Sequence, residues 1–172
     1  GIFKMNLPNK LTLLRILLIP VFIIIMMSNI TNHYLIACLI FIIASITDAL
    51  DGYIARKNNL VTDFGKFMDP LADKLLVISA LICMIESNLV AGWMVIIIVA
   101  RELTVSILRA IAAADGKVIA ASGGGKIKTI SQMLAIIILL FGANSSNNLL
   151  LQIGTIFMLI ATIFTLYSGT DY

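Results

Sequence analysis

Charge is what this chain has little of. Asp, Glu, Lys and Arg together make up 12% of its 172 residues, against 60% hydrophobic, where an ordinary soluble domain carries about 25% charge. That shortage excludes a solvated globular domain and marks an integral membrane protein. The net charge of +3 is too modest to point to nucleic acid. Only two cysteines are present, Cys38 and Cys83. Both lie inside apolar runs without metal-ligand spacing, which excludes a cysteine metal site and leaves them as reduced core residues. The single histidine, His33, falls in a loop and reads as a solvated or interfacial residue. Alternation of period two is missing, which excludes a membrane β-barrel. No small-residue cleavage site follows the first apolar run, so that run is expected to be retained.

What is there is a series of apolar segments, roughly 9–28, 33–55, 68–87, 90–113, 122–142 and 147–167. Each holds about 20 residues, enough for a helix to cross a hydrocarbon layer of about 30 Å. Polar breaks separate them at Ser28-Asn29, Asn58-Asn59, Glu86-Ser87-Asn88, Asp115-Gly116-Lys117 and Asn144 to Asn148. The expectation is an all-α, polytopic membrane bundle of six spans forming one domain over residues 1–172. An amphipathic stretch, Asn6 to Arg15, is expected to lie along the inner interface before the first span. None of the 12 Lys and Arg residues falls in loops 28–33, 86–92 or 143–148. By the positive-inside rule these loops face outward and both termini face the cytoplasm. Trp93 then sits near the outer interface.

The few acids are not scattered. Residues 48–73 read Asp48-x-x-Asp51-Gly52-x-x-Ala55-Arg56, eight further residues, then Gly65-x-x-x-Asp69-x-x-x-Asp73. Positions three or four apart share a helix face, so Asp48 pairs with Asp51 and Asp69 with Asp73. A short basic loop makes a hairpin of the second and third helices, which sets the two pairs opposite one another. Carboxylates at membrane depth are costly and are functional candidates by default. Four together would raise one another's pKa unless a cation intervened. An all-oxygen ligand set suits Mg²⁺ or Mn²⁺, one or two ions. Gly52, Ala55 and Gly65 are small enough to let a diphosphate approach, and Arg56 can meet phosphate bidentately. The plainer reading is a set of buried ion pairs with Lys66, Lys74 and Arg56.

This pattern resembles the motif of the CDP-alcohol phosphatidyltransferase family, and the resemblance runs over most of the chain. It implies a metal-dependent enzyme that displaces CMP from a CDP-linked lipid with an alcohol. It implies that Asp48, Asp51 and Asp69 bind metal, that Asp73 shares the metal and is the catalytic base, and that the CDP moiety contacts Asp51, Gly52, Ala55, Arg56 and Gly65. The segment Pro8-Asn9-x-Leu11-Thr12-x-x-Arg15 is similar to that of bacterial members, which implies that Asn9 and Thr12 line the nucleotide side. It also implies a bacterial plasma-membrane location and a homodimer.

A second polar group bears on the acceptor. Arg101 and Arg109 lie eight residues apart on the fourth helix, hence on nearly one face, and Lys126 and Lys128 open the fifth. Converging cations suit an acceptor that carries its own phosphate. Together with Ser168-Gly169-x-x-Tyr172, these segments resemble family members that pair CDP-diacylglycerol with sn-glycerol 3-phosphate. Plainer readings stand beside this: a buried Arg101–Glu102 pair, and inner-leaflet anchoring for the two lysines. Other acceptors within the family are phosphatidylglycerol, an inositol phosphate or serine. A transporter is a different class, but it would want ionisable groups continuing outward, and the outer halves hold almost none besides Glu86. Gly123-Gly124-Gly125-Lys126 is not a phosphate loop, because positions 120 and 127 are Ala and Ile.

Overall fold

A computed structural model describes residues 7–58, 63–116 and 123–170. Within these ranges the side chains of Pro8, Gly52, Ala55, Arg56, residues 63–67, Asp69, Pro70, residues 123–126 and residues 168–170 lie outside the described ones. The described residues form six α-helices: α1 (Leu7–Met27), α2 (His33–Lys57), α3 (Asp63–Glu86), α4 (Gly92–Ala114), α5 (Gly123–Ser145) and α6 (Asn148–Thr170). Their bounds follow the apolar segments, and each break falls where polar residues end the run.

Two of the turns show why. After α3, Leu89 N–H donates to Met84 O at 2.9 Å and Asn88 N–H to Ile85 O at 3.0 Å, while Asn88 adopts φ 62°. After α5, Asn147 N–H donates to Gly142 O and Ser146 N–H to Ala143 O, with Ser146 at φ 53°. Both are left-handed caps that return the last helical carbonyls to backbone donors. Asn147 then starts α6, its Oδ1 accepting from the N–H groups of Leu149 and Leu150, as a helix N-cap does.

Four helices are long and apolar enough to cross a membrane, over Asn9–Met27, His33–Asp51, Ile127–Ser145 and Asn148–Tyr167. The other two carry more ionisable residues, α4 through Arg101, Glu102 and Arg109. Hydroxyls along the helices return their protons to carbonyls one turn back: Ser45 to Phe41, Thr104 to Ala100, Thr155 to Leu151, Thr162 to Met158 and Thr165 to Ala161. In an apolar solvent that removes the cost of a bare hydroxyl.

The chain divides into two compact units, Gly1–Cys83 and Met84–Tyr172. In the first, α1 packs on α2. Ile19, Phe22 and Met26 of α1 and Ala37, Cys38, Phe41 and Ala44 of α2 are buried, and the Phe22 and Phe41 rings lie 6.4 Å apart. Cys38 and Cys83 are both buried. One expectation is corrected here. Residues 7–15 form no separate interfacial helix, because α1 runs unbroken from Leu7 through Pro20 to Met27. Its Asn9, Thr12 and Arg15, spaced by three, share a face that is buried rather than laid on a headgroup layer.

In the second unit α6 packs on both α4 and α5. Ala135, Ile136, Leu139 and Leu140 of α5 and Met158 and Ala161 of α6 are buried. The α5–α6 approach is close at Gly154, where a Cβ would stand 2.6 Å from Leu139 Cγ. Small residues at such crossings are the usual means of tight helix packing in membranes. Large apolar side chains left outside, among them Ile24, Ile43, Ile96, Ile107 and Ile163, suit a surface facing lipid tails.

Candidate active site

The buried face of α1 meets the start of the aspartate motif. The Thr12 hydroxyl donates to Asp51 Oδ2 at 2.9 Å, and Arg15 Nη2 donates to the same oxygen at 2.6 Å. Arg15 Nε donates to Thr47 Oγ1 at 3.3 Å, and Thr47 passes its own proton to Ala44 O. Arg15 Nη1 stands 3.4 Å from Asp48 Oδ1 and 3.5 Å from Asp73 Oδ1. One guanidinium, fully enclosed, thus draws acids from α2 and α3 together.

The three acids are not equivalent. The Asp51 side chain is 1% exposed, whereas those of Asp48 and Asp73 are 39% and 43% exposed. The Asp48 and Asp73 carboxyl groups lie within hydrogen-bonding reach of each other. Asp51 Oδ1 is buried and accepts no hydrogen bond from the described residues, an expensive state for a carboxylate oxygen. The cluster therefore has a closed side, sealed by Arg15 and Thr12, and an open side presented by Asp48 and Asp73.

The expected pairing of α2 acids with α3 acids is seen for Asp48 and Asp73. Asp69, Gly52, Ala55, Arg56, Gly65 and Lys126 lie outside the described side chains. Among the described residues Arg15 meets these acids; Lys66 and Arg56, which the sequence also offered, lie outside the described side chains. A signal for Arg15 was present. Arg15 shares a face with Asn9 and Thr12, and α1 contains no acid of its own, so a buried arginine there must find its carboxylate on another helix.

Among the described residues, no three His, Cys, Asp or Glu side chains are placed to hold a metal ion by themselves. The donor set nonetheless fits a hard divalent cation. Every candidate ligand is a carboxylate oxygen, one of them is buried without a partner, and the motif's fourth acid lies outside the described side chains.

A second cluster sits in the other unit. Arg101 Nη1 lies 3.2 Å from Glu102 Oε1, and Lys128 Nζ donates to that same oxygen. The exposures of the three side chains are all low. Lys128 is thus buried and reaches from α5 to Glu102 of α4, not extended toward a headgroup layer as an anchoring lysine would be. Arg109 lies two turns beyond Arg101 on α4 and is half-buried.

Comparison with known proteins gives this geometry a context. The family model described as CDP-alcohol phosphatidyltransferase matches residues 5–167. The chain is 46% identical over 179 residues to the CDP-diacylglycerol–glycerol-3-phosphate 3-phosphatidyltransferase of Bacillus subtilis, covering 97% of this chain and 93% of that protein. It is 42% identical to the protein of the same name from Haemophilus influenzae, covering 98% and 92%. It is 38% identical to a probable phosphatidylglycerophosphate synthase of Mycobacterium tuberculosis, covering 97% and 79%.

Proposed function

The chain belongs to the CDP-alcohol phosphatidyltransferase family, and we propose that within it the chain transfers the phosphatidyl group of CDP-diacylglycerol to sn-glycerol 3-phosphate, giving phosphatidylglycerol phosphate and CMP. The observation that carries the reading is the gathering of Asp48, Asp51 and Asp73 at one end of the α1–α2 pair. The names of the relatives point to the acceptor.

In this reading Asp48, Asp51 and Asp69, with Asp73 beside them, would hold Mg²⁺ or Mn²⁺, as one or two ions. When bound, the metal supplies charge neutralisation for the diphosphate and for the leaving CMP oxygen. The remaining work belongs to the chain. Phosphoryl transfer is governed by positioning and electrostatics. Asp51 is held rigid by Thr12 and Arg15. Asp73, on the open side, takes the proton of the acceptor's 1-hydroxyl. That oxygen attacks the β-phosphorus in line, a new O–P bond forms, and the bond to the bridging oxygen breaks so that CMP departs. Asn9, Thr12, Asp51, Gly52, Ala55, Arg56 and Gly65 are the candidates for the CDP side, and Arg101, Arg109, Lys126 and Lys128 for the acceptor phosphate.

All six helices cross the membrane in this reading, α3 and α4 included, with both termini and the aspartates at the cytoplasmic face of a bacterial plasma membrane and the enzyme a homodimer. The deciding experiment incubates the purified chain with CDP-diacylglycerol, radiolabelled glycerol 3-phosphate and Mg²⁺. The expected product is labelled phosphatidylglycerol phosphate, lost in Asp73→Asn. Equal turnover of an acceptor that lacks a phosphate would overturn the acceptor assignment. Cation flux in vesicles without any lipid nucleotide would overturn the transferase reading.

A further inference from the structure

We propose that Arg15 is the resident countercharge of the aspartate cluster. In the metal-free protein its enclosed guanidinium holds Asp48, Asp51 and Asp73 together. When a divalent ion binds, the ion takes over that role toward Asp48 and Asp73, while Arg15 keeps Oδ2 of Asp51 and leaves Oδ1 to the ion. The inference rests on the divalent-ion reading given above.

The two halves of the guanidinium are engaged differently. Nη2 makes a short hydrogen bond to Asp51 Oδ2, at 2.6 Å, and Nε donates to Thr47. These contacts lie on the closed side. Nη1 reaches toward the open side, at 3.4 Å and 3.5 Å from Asp48 and Asp73, yet forms no hydrogen bond with either. Nη1 therefore contributes charge without a fitted contact. Such an attraction is easily transferred to a better-placed cation, whereas the fork geometry at Nη2 and Nε is specific to arginine. Asp51 is divided in the same way. Oδ2 accepts from both Thr12 and Arg15, and Oδ1 is buried with no donor among the described residues. An oxygen in that state is oriented for a ligand that does not need to donate a proton. Without some cation, neighbouring carboxylates on two helices repel and raise each other's pKa. Arg15 answers that cost in the absence of metal. It is a positioning residue, since it acts through Asp51.

The test uses the full chain in detergent, with melting temperature followed with and without MnCl₂ and Mn²⁺ binding followed by electron paramagnetic resonance. Arg15→Gln is expected to lower the metal-free melting temperature by about 10 °C, and Mn²⁺ is expected to raise the melting temperature of this variant by more than it raises that of the wild type. Arg15→Lys, which keeps the charge but loses the fork, is expected to fall between the wild type and Arg15→Gln in metal-free melting temperature and to show a Mn²⁺ shift nearer that of the wild type. The double variant Arg15→Gln/Asp48→Asn, which removes one acid along with the cation, is expected to recover at least half of the loss. A residue needed only for packing would show no such recovery and an equal Mn²⁺ shift in both proteins, and that result would overturn the proposal. Should Arg15→Gln fail to fold, folding of the double variant supports it; failure of both, even with Mn²⁺, overturns it. A wild type that binds no Mn²⁺ defeats the divalent-ion reading and the hand-over with it, while recovery by Asp48→Asn still reports on the countercharge alone.

Discussion

Lys128 on α5 donates to the carboxylate of Glu102 on α4, at the same oxygen that Arg101 reaches. Two cations thus meet on one internal anion. A phosphate dianion presents the same chemistry with more charge and more acceptor oxygens. If the acceptor's phosphate binds here, Lys128→Ala should raise KM for glycerol 3-phosphate about 10- to 100-fold, with KM for CDP-diacylglycerol unchanged. Steady-state kinetics in mixed micelles, varying one substrate at a time, checks this. An equal rise for both substrates would place Lys128 in a structural role, and a parallel melting curve of the variant separates the two.

Asp51 and Asp73 carry the same functional group in different settings, so the same substitution should do different things. Asp51 is enclosed and bonded to Thr12 and Arg15; Asp73 is partly open, and its contact with Arg15 is a long one. Asp51→Asn should lower stability by about 1–3 kcal/mol, because the short charged hydrogen bond to Arg15 is weakened. Asp73→Asn should leave the melting temperature nearly unchanged and lower kcat by about 10²- to 10⁴-fold. Thermal melts alongside single-turnover assays distinguish these outcomes.

Chelation is the plainest test of the metal reading. With all-carboxylate ligands, activity is expected to vanish in excess EDTA and to return with Mg²⁺ or Mn²⁺. Full activity in EDTA would show that Arg15 and the basic residues suffice for charge neutralisation. It would remove the need for any ion at Asp48, Asp51 and Asp73.

The helices were legible because their ends are local. Asn88, Ser146 and Asn147 stop or start helices with bonds spanning two to five residues, and such signals survive in a linear reading. The acids were legible because a spacing of three or four on a helix fixes a shared face. What was not legible is the partner of those acids. Arg15 and Asp51 are 36 positions apart, and their meeting depends on how α1 rotates against α2, which no local rule fixes. The same holds for Lys128 and Glu102, 26 positions apart. It holds too for residues 7–15, whose amphipathic pattern fits an interfacial helix as well as a buried polar stripe. The membrane-exposed alternative fails because the polar face carries Thr12 and Arg15, which satisfy Asp51 rather than water.

The α5–α6 crossing offers a prediction independent of the chemistry. At Gly154 an added Cβ would stand 2.6 Å from Leu139 Cγ and 2.8 Å from its Cδ2. Leu139 is buried, so its side chain cannot swing aside without displacing its neighbours. At Gly142 the nearest atom would be Leu150 Cβ at 3.0 Å, with the backbone of Leu151 close behind, so the two helices are in tight contact at two levels. Gly154→Val adds volume at the closer of them and should destabilise the protein by about 1–3 kcal/mol, since overpacking forces side chains off their rotamers. A compensating Leu139→Ala in the same chain should recover part of the loss, because the added methyl groups would then occupy the space the leucine leaves. Thermal melts in detergent of the two single variants and the double variant check the coupling. Additive losses would mean that the helices separate at this point instead of packing through it.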